Sequence, residues 1–424
     1  MSLSHLFRRS AAPTPIYLVL MAGQAVCGSL FFTVMLVYQV TVVGLDPLQM
    51  VLVGTVMEAT CFLFEIPTGV VADVYSRRRS ILIGFVLIGG SYLLQGAIPA
   101  FWAALAGQVF WGVGYTFTSG ATEAWVTDEV GEAVVGSVFL RGQQASLAGG
   151  LIGTLLGTAL GVVRMQLPLI LAGIGMLALT GILTLVMPER RMRPTPVAER
   201  STFGHMRDTA REGFRLAAAR PVVRTVVAAS LVVGLGSEAV DRLCTPSVIE
   251  RFAFPTLWGT NSPVFWLGLS GVVGSLIGLA ASEMFRRAES RALGAGSPAR
   301  LLAGFAAVDA AVVLGFALAG NLWLAFAMLW ARGVIRTIAG PVQDAWLNRN
   351  LDSDTRATAI SIASQANSIG QVVGGPALGW VGSAVSLRAA LLGSAAVLAP
   401  AAALYRRSAV RERAADAPAP AAAD

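Results

Sequence analysis

Gly69-Val70-Val71-Ala72-Asp73-Val74-Tyr75-Ser76-Arg77-Arg78-Arg79 is a charged turn between two apolar stretches, residues 47–71 and 79–98, each long enough to cross a bilayer as a helix of about 20 residues. An aspartate and three arginines are costly in hydrocarbon, so the turn marks a watery end shared by two spans. Working outward, apolar runs of the same kind recur at 15–41, 101–127, 139–162, 166–187, 222–248, 263–283, 299–319, 322–347, 357–381 and 386–405. The chain is therefore predicted to be an all-α membrane protein of twelve transmembrane helices.

Composition agrees. Of 424 residues, 55% are hydrophobic and 13% charged, with a mean hydropathy of +0.69. That is too apolar for a water-soluble globule of this size. The first apolar run is longer than a signal-peptide core, so the first helix is expected to be retained. All 31 basic residues are arginine. With the N-terminus in the cytoplasm, 25 of them fall in cytoplasmic loops or tails, three on the opposite side (Arg164, Arg251, Arg388) and three inside spans (Arg242, Arg332, Arg336). This is the positive-inside bias, with both termini cytoplasmic. The net charge of +7 then sits beside membrane spans, where it sets topology and attracts anionic lipid, so lipid and not nucleic acid is the expected partner.

Cys27, Cys61 and Cys244 lie in apolar runs and form no close pair, which points to neither a disulfide framework nor a zinc site. His5 and His205 sit in polar segments, too few for a metal cluster. No metal or cofactor is expected. The absence of lysine and the abundance of alanine fit a GC-rich bacterial genome.

The chain is also a repeat of itself. At an offset of 221 residues, Glu123-Ala124-Trp125 matches Asp344-Ala345-Trp346, Gln144-Ala145-Ser146 matches Gln365-Ala366-Asn367, and Gly112, Gly149 and Gly153 match Gly333, Gly370 and Gly374. A worn copy of the charged turn stands at an offset of 209, where Gly278, Ala281, Arg286 and Arg287 repeat Gly69, Ala72, Arg77 and Arg78. The expected organisation is a cytoplasmic tail at 1–14, a six-helix bundle at 15–187, a cytoplasmic linker at 188–221, a second six-helix bundle at 222–405 and a disordered tail at 406–424. Within the linker, Phe203 to Leu216 reads as a surface-lying amphipathic helix.

The turn resembles the loop between helices 2 and 3 of the major facilitator superfamily of secondary transporters. Gly69, Ala72, Asp73, Tyr75, Arg77, Arg78 and Arg79 fall on its preferred residue types, while Val74 and Ser76 replace a basic residue and a glycine. The resemblance covers residues 15 to 405 and implies two pseudo-symmetric six-helix bundles with a substrate site near the midplane. It also implies a monomer and a gating role for Gly69, Asp73, Arg77 and Arg78. Gly69 is expected to let the second helix pack closely on a neighbour, and Asp73 to accept N–H groups at a helix N-terminus. Phe64-Glu65-Ile66-Pro67-Thr68-Gly69 resembles a variant found in bacterial drug-efflux members, and Gly149, Gly153 and Gly157 resemble the glycine motif of antiporters. Gln108 stands where proton-coupled exporters usually offer an arginine.

Ionisable groups inside a span cost about 2.5–3.5 kcal/mol each on insertion scales, so they are functional candidates. Glu58 and Glu65 share one face of the second helix, and Glu238, Asp241 and Arg242 share one side of the seventh, with Glu238 and Arg242 at ion-pair spacing. Arg332 and Arg336 are one turn apart in the tenth helix, placed to balance Glu58 or to meet an anionic substrate. Glu123 and Asp344 occupy matched positions and read as gate residues, with Arg141 nearby. Trp125, Gln144, Trp346, Gln365 and Asn367 are the cavity candidates.

These observations point to a proton-coupled exporter of small amphipathic compounds, with the proton gradient as energy source and a bacterial inner membrane as its location. Two alternatives stay open: an importer or facilitator of a small anion, and a non-transporting receptor. Nothing in the sequence combines a nucleophile with a base, a nucleotide loop or a metal-ligand set, so an enzyme is not expected.

Overall fold

The computed structural model describes residues 12–192, 215, 219–294 and 297–416. Among these residues all regular secondary structure is helical, apart from one isolated bridge between Leu257 and Thr260. Helices α1 (Pro13–Tyr38, continued by a π-helical turn, Gln39–Val43), α2 (Pro47–Val74), α3 (Arg77–Ala97), α4 (Phe101–Thr118), α5 (Ala121–Val130), α6 (Glu132–Val163) and α7 (Gln166–Val186) come first. After residue 219 follow α8 (Pro221–Arg251), α9 (Pro263–Gly294), α10 (Pro298–Leu318), α11 (Leu322–Asn350), α12 (Ser353–Ala384) and α13 (Leu387–Asp416). Hydrocarbon offers no partner to a backbone N–H or C=O, so a lone apolar segment can satisfy itself only as a helix.

Ten of these helices are long and apolar enough to cross a membrane. The other two predicted crossings are the more polar α12, and α4 with α5. The fourth run is thus not one helix as expected: it breaks at Ser119-Gly120, where Gly120 takes φ 72°. The starts predicted at 47 and 322 hold because the capping chemistry there is local, whereas α6 and α12 begin at Glu132 and Ser353, seven and four residues ahead of the runs at 139 and 357. Asp46 and Gln49 form a reciprocal capping box ahead of Pro47, and the Asn321 side chain accepts the Leu324 N–H at 2.9 Å. Residues 406–416, expected as a disordered tail, instead continue α13. The amphipathic helix expected at 203–216 lies outside the described residues apart from Arg215.

Two compact units form. The first takes in residues 12–192 and the segment Ile249–Val272; the second takes in the remainder of the described chain. The first is cored by Phe31, Phe85, Tyr92, Trp125 and Leu169, the second by Val226, Leu302, Trp346 and Tyr405. The same contact organises both. In the first unit, a Cβ at Gly149 or Gly153 would come within 2.5 or 2.4 Å of the Ala22 or Val26 carbonyl oxygen, so α6 lies backbone-to-backbone on α1. In the second, a Cβ at Gly370 or Gly374 would come within 2.4 or 2.2 Å of the Leu231 or Leu235 carbonyl oxygen, so α12 lies on α8 in the same way.

Candidate functional site

The charged turn joins α2 to α3 and is knit into the first unit. Arg77 opens α3 and forms an ion pair with Asp128 of α5; it also pairs with Asp73 at 3.7 Å and donates to the Ala124 carbonyl at 3.1 Å. Asp128 stands one residue past the fourth apolar run, where the sequence carries no spacing that ties it to Arg77. Arg78 donates to the last carbonyls of α7, Thr184 at 2.6 Å and Met187 at 2.9 Å, where a helix C-terminus favours a cation.

Two expectations about this turn are corrected. Among the described residues of its unit Asp73 accepts no N–H group of a helix N-terminus: its side chain is 54% exposed, and the start of α3 is instead held by Glu189, which accepts the Arg78 N–H at 3.0 Å and the Ser76 hydroxyl at 2.6 Å. Ser76 in turn caps α3 by accepting the Arg79 N–H at 3.0 Å. Within its own unit Gly69 has no close neighbour: no atom lies within 4 Å of where its Cβ would stand.

The second unit repeats this junction at the 221-residue offset of the other matched residues, not at the offset of 209 expected for the charged turn. Ser297, 221 residues after Ser76, precedes α10 and donates its hydroxyl to Glu412 of α13. Arg286 and Arg287, the worn copy at offset 209, are no loop: α9 runs on through them, and both pair with Glu283 of the same helix at 2.7 Å.

Trp125 and Trp346 are also corrected. Both are fully buried, and each indole N–H is pinned, Trp125 to the Pro188 carbonyl at 2.7 Å and Trp346 to Glu412 at 2.6 Å. Such rings hold the ends of helices together and do not line a cavity. Gln144 is exposed, Gln365 half-buried, and Asn367 accepts from Gln371 at 2.5 Å within α12. Glu123, Arg141 and Asp344 are exposed, and among the described residues none of them forms an ion pair, so the expected gate set is not assembled. Glu58 is half-buried on α2 and Glu65 is exposed.

The acids and arginines of the second unit do come together. Glu238 and Arg242 pair at 2.9 Å on α8, as their spacing requires, with side chains only 4% and 9% exposed. Asp241 receives Arg332 at 2.6 Å and Arg336 at 2.8 Å, both from α11. Sequence reasoning missed Asp309 of α10, a lone acid in an apolar run, which lies 3.5 Å from the Arg332 Nε. Three carboxylates thus face three guanidinium groups, a cluster that is neutral when all are ionised. Its members are held unequally: Arg332 hydrogen-bonds to Asp241, while Asp309 Oδ1 makes no hydrogen bond among the described residues. Glu238, Asp309 and Arg336 stand close to the middle of α8, α10 and α11, at mid-depth.

The first unit holds a cavity of about 420 Å³, lined from α1, α3, α4, α6 and α7. Gly28 and Met176 of its lining stand at the midpoints of Pro13–Val43 and Gln166–Val186, again at mid-depth. One wall is aromatic. Trp111 and Tyr115 stack with centroids 5.3 Å apart, Phe32 meets Trp111 edge-on at 5.7 Å, and Tyr92 stacks on Phe31 at 4.0 Å. These rings carry no distinguishing signal in the sequence, because an aromatic facing a cavity reads like one filling a core.

Taken with its helices and buried charges, this architecture defines a polytopic membrane transporter. The family model described as the Major Facilitator Superfamily matches residues 16–330, and the chain belongs to that superfamily. It is 26% identical over 126 residues, 30% of the chain, to the uncharacterized MFS-type transporter YxaM of Bacillus subtilis (strain 168), a match spanning 32% of that relative's own length. Among solved structures it is similar to a POT family transporter in complex with 5-aminolevulinic acid, with a TM-score of 0.73 at 12% identity, covering 94% of this chain and 96% of that one. It is also similar to nucleoside transporter NupG, with a TM-score of 0.70 at 14% identity, covering 94% and 99%. A bacterial homolog of the human lysosomal transporter Spinster gives a TM-score of 0.70 at 16% identity, covering 97% and 100%.

Proposed function

We propose that this protein is a proton-coupled exporter of small amphipathic compounds, working by alternating access as a monomer in a bacterial inner membrane. The observation that carries the reading is the neutral six-membered charge cluster at mid-depth of the second unit. A cluster in which one carboxylate is weakly held is suited to gaining and losing a proton, because protonating that group breaks the fewest contacts. Asp309 is that group. Its protonation leaves Arg332 to Asp241 alone, a discrete change of partner that can bias a conformational equilibrium. Asp73 and Arg77 are assigned to gating at the basic end of the first unit.

Proteoliposomes carrying a pH gradient test this, with a pH-sensitive dye reporting proton movement as dyes and antibiotics are added. Substrate-dependent dissipation of the gradient is expected, and Asp309→Asn is expected to abolish it while substrate binding persists. A panel in which no compound moves protons would overturn the reading.

One observation favours a second reading. The Arg336 side chain is 56% exposed and, among the described residues, reaches Asp241 through Nη1 alone, which suits an anionic substrate and hence an importer or facilitator. Uptake of an organic acid that ignores the proton gradient and fails in Arg336→Ala would select it.

A further inference from the structure

The cavity of the first unit differs from the charge cluster in chemistry. Its lining contains no aspartate, glutamate, arginine or histidine; the polar groups it offers are Gln24, Ser29, Ser146 and two tyrosines. An anion entering it would give up part of its hydration with no positive partner among the lining residues, and would face ring systems whose surfaces are themselves electronegative. A sphere-shaped apolar ligand would leave the flat rings poorly covered. A conjugated ring system fits both constraints: it stacks on aromatic faces and needs few hydrogen bonds.

The wall is preorganised for that task. Tyr92 is buried against Phe31 and accepts the Trp111 indole N–H at 3.4 Å, while Phe32 wedges edge-on against both Tyr92 and Trp111. Phe32 and Tyr115 remain 40% and 44% exposed, so ring surface is available without rearrangement. Gly150, which lines the same cavity, leaves space: a Cβ there would meet only the Ser29 hydroxyl, at 3.5 Å. The volume of about 420 Å³ falls in the range that holds a drug-sized molecule.

We propose that this cavity is a binding site for planar aromatic compounds lacking an anionic group, stacked along Phe32, Trp111 and Tyr115 and oriented by hydrogen bonds to Gln24 and Ser146. The proposal rests on the transporter reading above and names its substrate class.

The test is equilibrium binding to the purified full-length protein in nanodiscs, without any gradient, using ethidium and acridine as planar probes. Tetrabutylammonium serves as a non-aromatic cation and naphthalene-2-sulfonate as a planar anion. Ethidium and acridine are expected to bind, and the other two to bind at least about tenfold more weakly. Trp111→Leu, which shortens the wall, and Gly150→Val, which fills the space while keeping every ring, are each expected to weaken ethidium by about tenfold or more. Trp380→Leu, at an exposed tryptophan of α12, should leave binding unchanged. Equal affinity for tetrabutylammonium or naphthalene-2-sulfonate, or ethidium binding indifferent to both cavity variants, overturns the proposal. Because no gradient is present, a protein that binds ethidium but moves no protons sinks only the export reading. Proton-coupled export of non-aromatic compounds that is indifferent to Gly150→Val sinks only this inference.

Discussion

Glu238 and Arg242 are the deepest charges whose partnership is local. One helical turn apart and almost wholly buried, they pair at 2.9 Å. Taking two charges out of water costs several kcal/mol, so such a pair adds little net stability, but orphaning one member is severe. Glu238→Gln is expected to destabilise the purified protein by about 3–5 kcal/mol, read as a lowered unfolding temperature. The double variant Glu238→Leu with Arg242→Met is expected to recover most of that loss, since no charge is left alone. Strictly additive losses in that cycle would show that the two side chains do not act as a pair. Glu238 and Arg242 were legible because a spacing of four residues on a helix is a contact. Asp309 was not, because its partner lies on another helix and an isolated acid carries no spacing to read.

Among the elements, the glycine contacts of α6 on α1 and of α12 on α8 set how closely neighbouring helices approach. The four-residue spacing was visible in the sequence, but not which helix it would face. Gly153→Val and Gly374→Val push a side chain into the carbonyls of Val26 and Leu235, and overpacking of this kind is expected to cost about 1–3 kcal/mol or more in each case. Gly69→Ala meets open space and replaces a poor helix former with a good one, so it is expected to leave the unfolding temperature unchanged or raise it. Thermal unfolding of the three variants in one detergent checks the contrast. A loss at Gly69 matching that at Gly153 would restore the close-packing role that the sequence suggested for it.

For the molecule as a whole, the arginine distribution predicts an orientation with the charged turn in the cytoplasm. A cysteine introduced at exposed Trp258, in the segment between α8 and α9, should be labelled by an impermeant thiol reagent added to intact cells. One introduced at Arg79, by contrast, should be labelled only after the cells are permeabilised. The reverse pattern would invert the topology and with it the assignment of the charged turn to the cytoplasm. Duplication is the other whole-chain property. It was read from matched glycines, tryptophans and amides, and it extends to the serines before α3 and α10 and to the glutamates that receive them.

By itself the sequence determined the solvent, and through it the architecture. A chain this apolar must dissolve in lipid, lipid leaves each apolar run no choice but a helix, and local caps and prolines place the ends. Tertiary structure alone decided which side chains meet across those helices. It moved Trp125 and Trp346 from the cavity to buried hydrogen bonds, gave Glu189 the cap expected of Asp73, brought Asp309 to Arg332, and turned Phe32, Trp111 and Tyr115 toward a common space. Periodicity reports the neighbours along one helix. Contacts between helices depend on rotation and depth of packing, which a hydrophobic pattern alone does not encode.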